Sequence, residues 1–108
     1  MIYKKLGKRM DKNFGAPTMI VVSSKPAAFP GIEYANAACV IENMAIAATS
    51  LRIDNVVWAE PTAVIADDAE IRKSVGIPDN FAPVLCISLG YGKESIEPKI
   101  HKITINRV

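Results

Sequence analysis

Residues 33–51 read EYANAACVIENMAIAATSL, and this stretch decides the fold. It holds neither proline nor glycine and is rich in alanine, so propensity and length together predict a helix of about five turns over Glu33–Leu51. Tyr34, Ala37, Ala38, Ile41, Met44, Ala45, Ala48 and Leu51 follow one helical stripe. Val40, Ile46 and Ala47 carry apolar surface round most of the remaining circumference, so the helix reads as buried on nearly all sides. A chain of 108 residues is one domain and is too short to surround such a helix alone. A second copy is therefore expected against it, the small alanines permitting close approach.

Working outward, Phe14-Gly15-Ala16-Pro17 is a turn that feeds Thr18–Ser24, an apolar run rich in β-branched residues that predicts a buried strand. Lys25-Pro26 ends it, and a loop containing Phe29-Pro30-Gly31 leads into the helix. Beyond the helix, Arg52-Ile53-Asp54-Asn55 carries turn chemistry, and Val56-Val57-Trp58-Ala59 predicts a short strand. Asp67-Asp68 suits the cap of a short helix over Ala69–Val75, which Gly76 and Pro78 stop. Phe81-Ala82-Pro83 introduces a third strand, Val84–Leu89, closed by Gly90-Tyr91-Gly92. The expected division is a basic lead segment at 1–13, a core at 14–92 and an extended tail at 93–108. Ile103 and Ile105 alternate within that tail as in an edge strand that pairs with a partner chain.

Composition prunes the functions. Half the residues (50%) are hydrophobic and only 6% aromatic, so Ile, Val, Ala, Leu and Met must fill the interior of a compact domain. Thirteen basic against eleven acidic residues leave too little charge to argue for a nucleic-acid surface. The ends are nonetheless basic: Lys4, Lys5, Lys8, Arg9 and Lys12 precede the first strand, and Lys93, Lys99, Lys102 and Arg107 lie in the tail. Such clusters either steer an anionic ligand or are solvated termini. Cys39 and Cys86 fall in apolar stretches without metal-ligand spacing and read as buried free thiols. No apolar stretch reaches the roughly 18 residues that span a bilayer, so no membrane partner and a cytoplasmic location are expected.

Standard catalytic signatures are missing. There is no Walker loop, no glycine-rich dinucleotide fingerprint after a strand and no His/Cys/Glu cluster spaced to hold a metal. The single histidine, His101, sits in the polar tail, away from any nucleophile turn, which argues against Ser-His-Asp hydrolysis. The Asp67 and Asp68 pair is better explained by capping than by acid-base chemistry.

The order of the elements is more informative. Gly15-Ala16-Pro17 before a strand, AACVIENMAIAA at residues 37–48, Thr49-Ser50-Leu51, Val57-Trp58, IRKSVGIP at 71–78 and SLGYG at 88–92 together resemble the nitroreductase family over roughly residues 14–102. That resemblance implies an α+β fold, here a truncated one resembling the family's C-terminal half: a small sheet packed on a long buried helix, dimer-forming. It implies a homodimer with FMN at the subunit interface, NAD(P)H as electron donor and a nitroaromatic, quinone or similar small molecule as acceptor. Because a flavin performs two-electron chemistry itself, the protein need supply no catalytic acid, base or nucleophile.

By the same resemblance, Trp58-Ala59-Glu60-Pro61 is the loop that lies along the flavin ring, with backbone amides donating to it. Pro61 has no amide proton and stands where the family often has glycine. Trp58 reads equally as a core or interface aromatic. In the tail, Pro98-Lys99-Ile100-His101 aligns with a segment whose cations contact the FMN phosphate. Lys99 matches, His101 replaces an arginine, and Lys102 offers a second charge; a solvated tail is the alternative. Asn43 aligns with an amide on the buried helix and is expected to make a structural hydrogen bond. The family's N-terminal arginine and serine motif is absent, and Arg52-Ile53-Asp54 replaces its glycine-containing turn. Three readings stay open: an FMN-dependent homodimeric enzyme, a non-catalytic flavin-binding or dimerisation module or half of a split enzyme completed by a separate chain, and a small structural protein.

Overall fold

In the computed structural model, which describes residues 15–108, the chain folds in the order β1 (Thr18–Ser24), α1 (Ile32–Ser50), β2 (Asp54–Trp58), α2 (Glu60–Asp67), α3 (Ala69–Ser74) and β3 (Ala82–Gly90). The expected lead segment at 1–13, and Phe14, lie outside the described residues. The three strands form an antiparallel sheet in the order β1-β3-β2, so the last strand in sequence is central. Ile20 and Val57 flank Ile87 from the two sides. The ladder slips between Val22 and Ser23, where β1 faces Pro83, a residue with no N–H to donate.

Strand alternation assigns the two faces of the sheet. Asn55 and Val57 share a face with Ile87 and Leu89, and the Asn55 Nδ2 donates to the Ala45 carbonyl at 3.4 Å and to Thr49 Oγ1 at 3.3 Å. That face is therefore the one α1 covers. Cys86 and Ser88 point the other way and are as deeply buried, with α2 packed against β3. The core comprises Ala37, Ile41 and Ala48 of α1, Ile65 of α2, Ile71 of α3, and Val84, Cys86 and Ile87 of β3.

The long helix and the flanking strands follow the expected order, and α3 is capped as anticipated: Asp68 Oδ1 accepts the N–H groups of Glu70 and Ile71. Gly76, at φ 75°, ends it in the left-handed region. Three strands cover only one stripe of α1, so Tyr34, Val40, Ile46 and Leu51 stand 63%, 44%, 60% and 70% exposed within the chain. Several expectations need correction: Thr18–Ser24, expected as a buried strand, is half-buried because β1 lies at the edge of the sheet. Asn43 is exposed on the open side of α1 instead of holding a buried hydrogen bond, and Cys39 is exposed where a buried thiol was expected. Asp54 and Asn55 belong to β2, because both pair with β3. The tail runs outside the sheet of its own chain, with Ile103 and Ile105 80% and 77% exposed.

Candidate functional site

The segment Trp58-Ala59-Glu60-Pro61 is a strand-to-helix turn, where the sequence predicted a plain loop. β2 ends at Trp58, Ala59 is the N-cap of α2, and Glu60 and Pro61 open the helix. Proline suits this place because the first turn leaves its N–H groups unused by the helix, and the ring presets φ. The Thr62 N–H is taken by the Ala59 carbonyl at 2.9 Å, which also accepts the Thr62 hydroxyl at 2.6 Å. This leaves the Glu60 N–H as the first-turn donor that α2 does not itself use, at the positive end of the helix dipole. Ala59 and Glu60 are exposed. The arrangement can donate one hydrogen bond to an outside acceptor and stabilise negative charge there.

Behind the turn the central strand is buried at Cys86, Ile87 and Ser88. Trp58 is half-buried and its indole Nε1 donates to Ser88 Oγ at 2.9 Å. Across the ladder from Trp58 stands Cys86, whose thiol burial pushes up to about 11. Cys86 is thus protonated and unreactive at neutral pH.

The tail cations are not held by the sheet of their own chain. Lys99, His101 and Lys102 are exposed on extended chain, and none of them hydrogen-bonds to the 58–61 turn. The tail leaves the sheet beside Asp54, whose Oδ2 accepts the Gly92 N–H at 2.6 Å. Asp54 is the opposite end of β2 from Trp58, about 13 Å away at the usual rise per residue. Among the described residues no cluster of His, Cys, Asp and Glu is arranged to hold a metal, and no helix is long and apolar enough to cross a membrane.

Two features escaped the sequence reading. Helix α2 carried a signal, a proline followed by Thr62-Ala63-Val64-Ile65-Ala66, which is a helix start with proline in its first turn. Ser88 carried another: strand alternation puts it on the same face as the buried Val84 and Cys86, where a hydroxyl requires a partner.

The sequence model of the nitroreductase family matches residues 3–91. Among solved structures, a nitroreductase with bound FMN from Bacteroides fragilis NCTC 9343 is 29% identical with a TM-score of 0.72, over 98% of this chain and 66% of that one. A nitroreductase with bound FMN from Desulfitobacterium hafniense DCB-2 is also 29% identical, with a TM-score of 0.75 over 88% of this chain and 53% of that one. The nitroreductase-like family protein from Bacillus cereus, 18% identical with a TM-score of 0.64 over 93% of this chain and 54% of that one, shares the fold. The chain spans between about half and two thirds of the length of these relatives. Among curated proteins none matches it. With the family's sequence pattern running from β1 to the end of β3 and the same fold beneath it, the chain belongs to the nitroreductase family.

Proposed function

We propose that this chain acts as one protomer of an FMN-dependent homodimer that oxidises NAD(P)H and reduces a nitroaromatic, quinone or similar small acceptor. When bound, FMN supplies the two-electron chemistry, and the protein's part is to hold, orient and tune the ring. The observation that carries the reading is the turn at Ala59-Glu60, which fits a flavin ring: an exposed N–H that its helix leaves free, at the positive helix end, in front of a buried central strand. Glu60 donates to the ring and favours negative charge on it. Pro61, with no N–H, adds nothing to that contact. Trp58 forms the wall behind the turn. Lys99 and Lys102 provide charge for the phosphate, and His101, when neutral, provides less than a guanidinium would.

The homodimer supplies what one chain lacks. The open side of α1, with Val40 and Ile46 exposed, is the contact between protomers. The basic tail of one protomer then serves the turn of the other, and the tail's exposed Ile103 and Ile105 pack on that partner. The cytoplasm suits a chain whose two cysteines are both free.

FMN titration of the purified protein, followed by anaerobic addition of NADH or NADPH, tests the proposal. Expected are a yellow dimer, bleaching by the nucleotide, and a loss of FMN affinity of about tenfold or more in Lys99→Ala, equivalent to one charge-assisted hydrogen bond. A colourless protein that cannot be reconstituted with FMN would overturn it.

One observation favours a second reading, that of a non-catalytic flavin-binding or dimerisation module: Lys99, His101 and Lys102 are exposed on a tail that forms no regular structure within the chain. FMN that binds but is not bleached by either nucleotide selects this module. Turnover that arises only on adding a separate chain selects half of a split enzyme.

A further inference from the structure

Ser88 is the buried polar residue among the described residues, 2% exposed in the central strand. A buried hydroxyl costs free energy unless it is bonded, so an apolar residue would serve packing better at this position. One bond of this hydroxyl is the one it accepts from the Trp58 indole N–H at 2.9 Å. These two residues do not stand opposite one another: Trp58 faces Cys86, and Ser88 faces Val56. The indole therefore runs diagonally across the sheet onto β3, on the face away from α1. The Trp58 backbone continues directly into Ala59 and the Glu60 N–H. Tying the indole to β3 thus fixes where α2 starts and which way its first free amide points.

We infer that Ser88 is a positioning residue of the flavin site, acting through Trp58 to aim the Glu60 N–H. The inference rests on the proposal that the 58–61 turn faces FMN. Ser88 lies inside the sheet and acts on the cofactor only at one remove. Removing its oxygen leaves the half-buried indole N–H without this acceptor and frees the side chain to change rotamer. The turn then loses its fixed departure from β2, and the amide no longer meets the ring squarely.

The test compares wild type, Ser88→Ala, Trp58→Phe and the double variant, each as apoprotein and with FMN. Trp58 is the only tryptophan, so intrinsic emission reports on it alone. Ser88→Ala is expected to stay folded, to red-shift that emission, and to raise the FMN dissociation constant about threefold to tenfold, the equivalent of one neutral hydrogen bond. The flavin midpoint potential should fall, because the reduced, more negative ring loses its donor. Trp58→Phe should lower the potential by the same amount, and the double variant should add nothing. Ser88→Thr, which keeps an acceptor oxygen, should restore the potential. A Ser88→Ala protein that loses stability alone, with wild-type FMN affinity and potential, overturns the inference and leaves the flavin reading intact. A wild-type protein that binds no FMN overturns both.

Discussion

The Ile53 N–H reaches back to the Ala48 carbonyl at 2.9 Å, and Arg52 between them is held at φ 58°. With the Arg52 N–H on the Thr49 carbonyl at 3.0 Å, this is the Schellman closure of α1. Helix α3 ends identically: the Ile77 N–H meets the Arg72 carbonyl at 3.0 Å and the Gly76 N–H meets the Lys73 carbonyl at 3.1 Å. There the left-handed residue is glycine. At α1 an arginine bears the strain. Arg52→Gly should therefore raise stability by roughly 1 kcal/mol, the usual penalty of a side chain in this region, whereas Gly76→Ala should lower it by a similar amount. Urea unfolding of the two variants reads both signs.

The Asp54 carboxylate, at the start of β2, holds the Gly92 N–H where the chain leaves β3. A Cβ at Gly92 would lie 2.9 Å from Asp54 Oδ2, so Gly92→Ala displaces the carboxylate instead of coexisting with it. Asp54→Ala and Gly92→Ala should each cost about 1 kcal/mol, and the double variant about the same as either alone. Additive costs in the unfolding cycle would show that the two residues act separately.

The two cysteines should differ sharply in reactivity. Cys39, exposed in the single chain on the stripe of Ile46, should react quickly with a disulfide reagent at pH 8 in the monomer and slowly where a second copy covers α1, whereas buried Cys86 should react only after denaturation. Burial raises the Cys86 thiol from 9.0 to about 11, so the unfolded chain loses this proton before the folded one does. Its contribution is complete below pH 9 and is lost as pH rises through 11. Cys86→Ala should accordingly flatten the fall in stability between these pH values.

The elements visible in the sequence were those whose local chemistry agreed with their packing. Thr18–Ser24 is rich in β-branched residues and forms β1, the 33–51 stretch lacks any breaker, and Asp68 caps α3 as an N-terminal carboxylate should. What was misread depended on distant partners. Asp54 and Asn55 look like turn residues until β3 pairs with them, and Pro61 looks like a loop residue until it is seen in the first turn of α2. The apolar circumference of α1 exceeds what the chain itself packs, since its own strands meet one stripe only. Of the proposed site, the 58–61 turn came from the family resemblance, whereas Ser88 became visible only through its diagonal contact to Trp58.

The open side of α1 gives the sharpest test of the proposed dimer. Ile46 and Val40 are exposed in the single chain, at 60% and 44%, so a charge at either site disturbs no contact within the protomer. If a second copy covers this side, Ile46→Glu buries an unpaired carboxylate at the interface, which costs several kcal/mol against an assembly otherwise held by apolar area. Light scattering should then find a dimer for wild type and a monomer for Ile46→Glu, with unchanged helical circular dichroism. Because the tail cations of one protomer are proposed to serve the turn of the other, the monomer should also lose most of its FMN affinity. A variant that stays dimeric places the contact elsewhere, and one that becomes monomeric yet binds FMN as wild type does places the whole phosphate grip within a single chain.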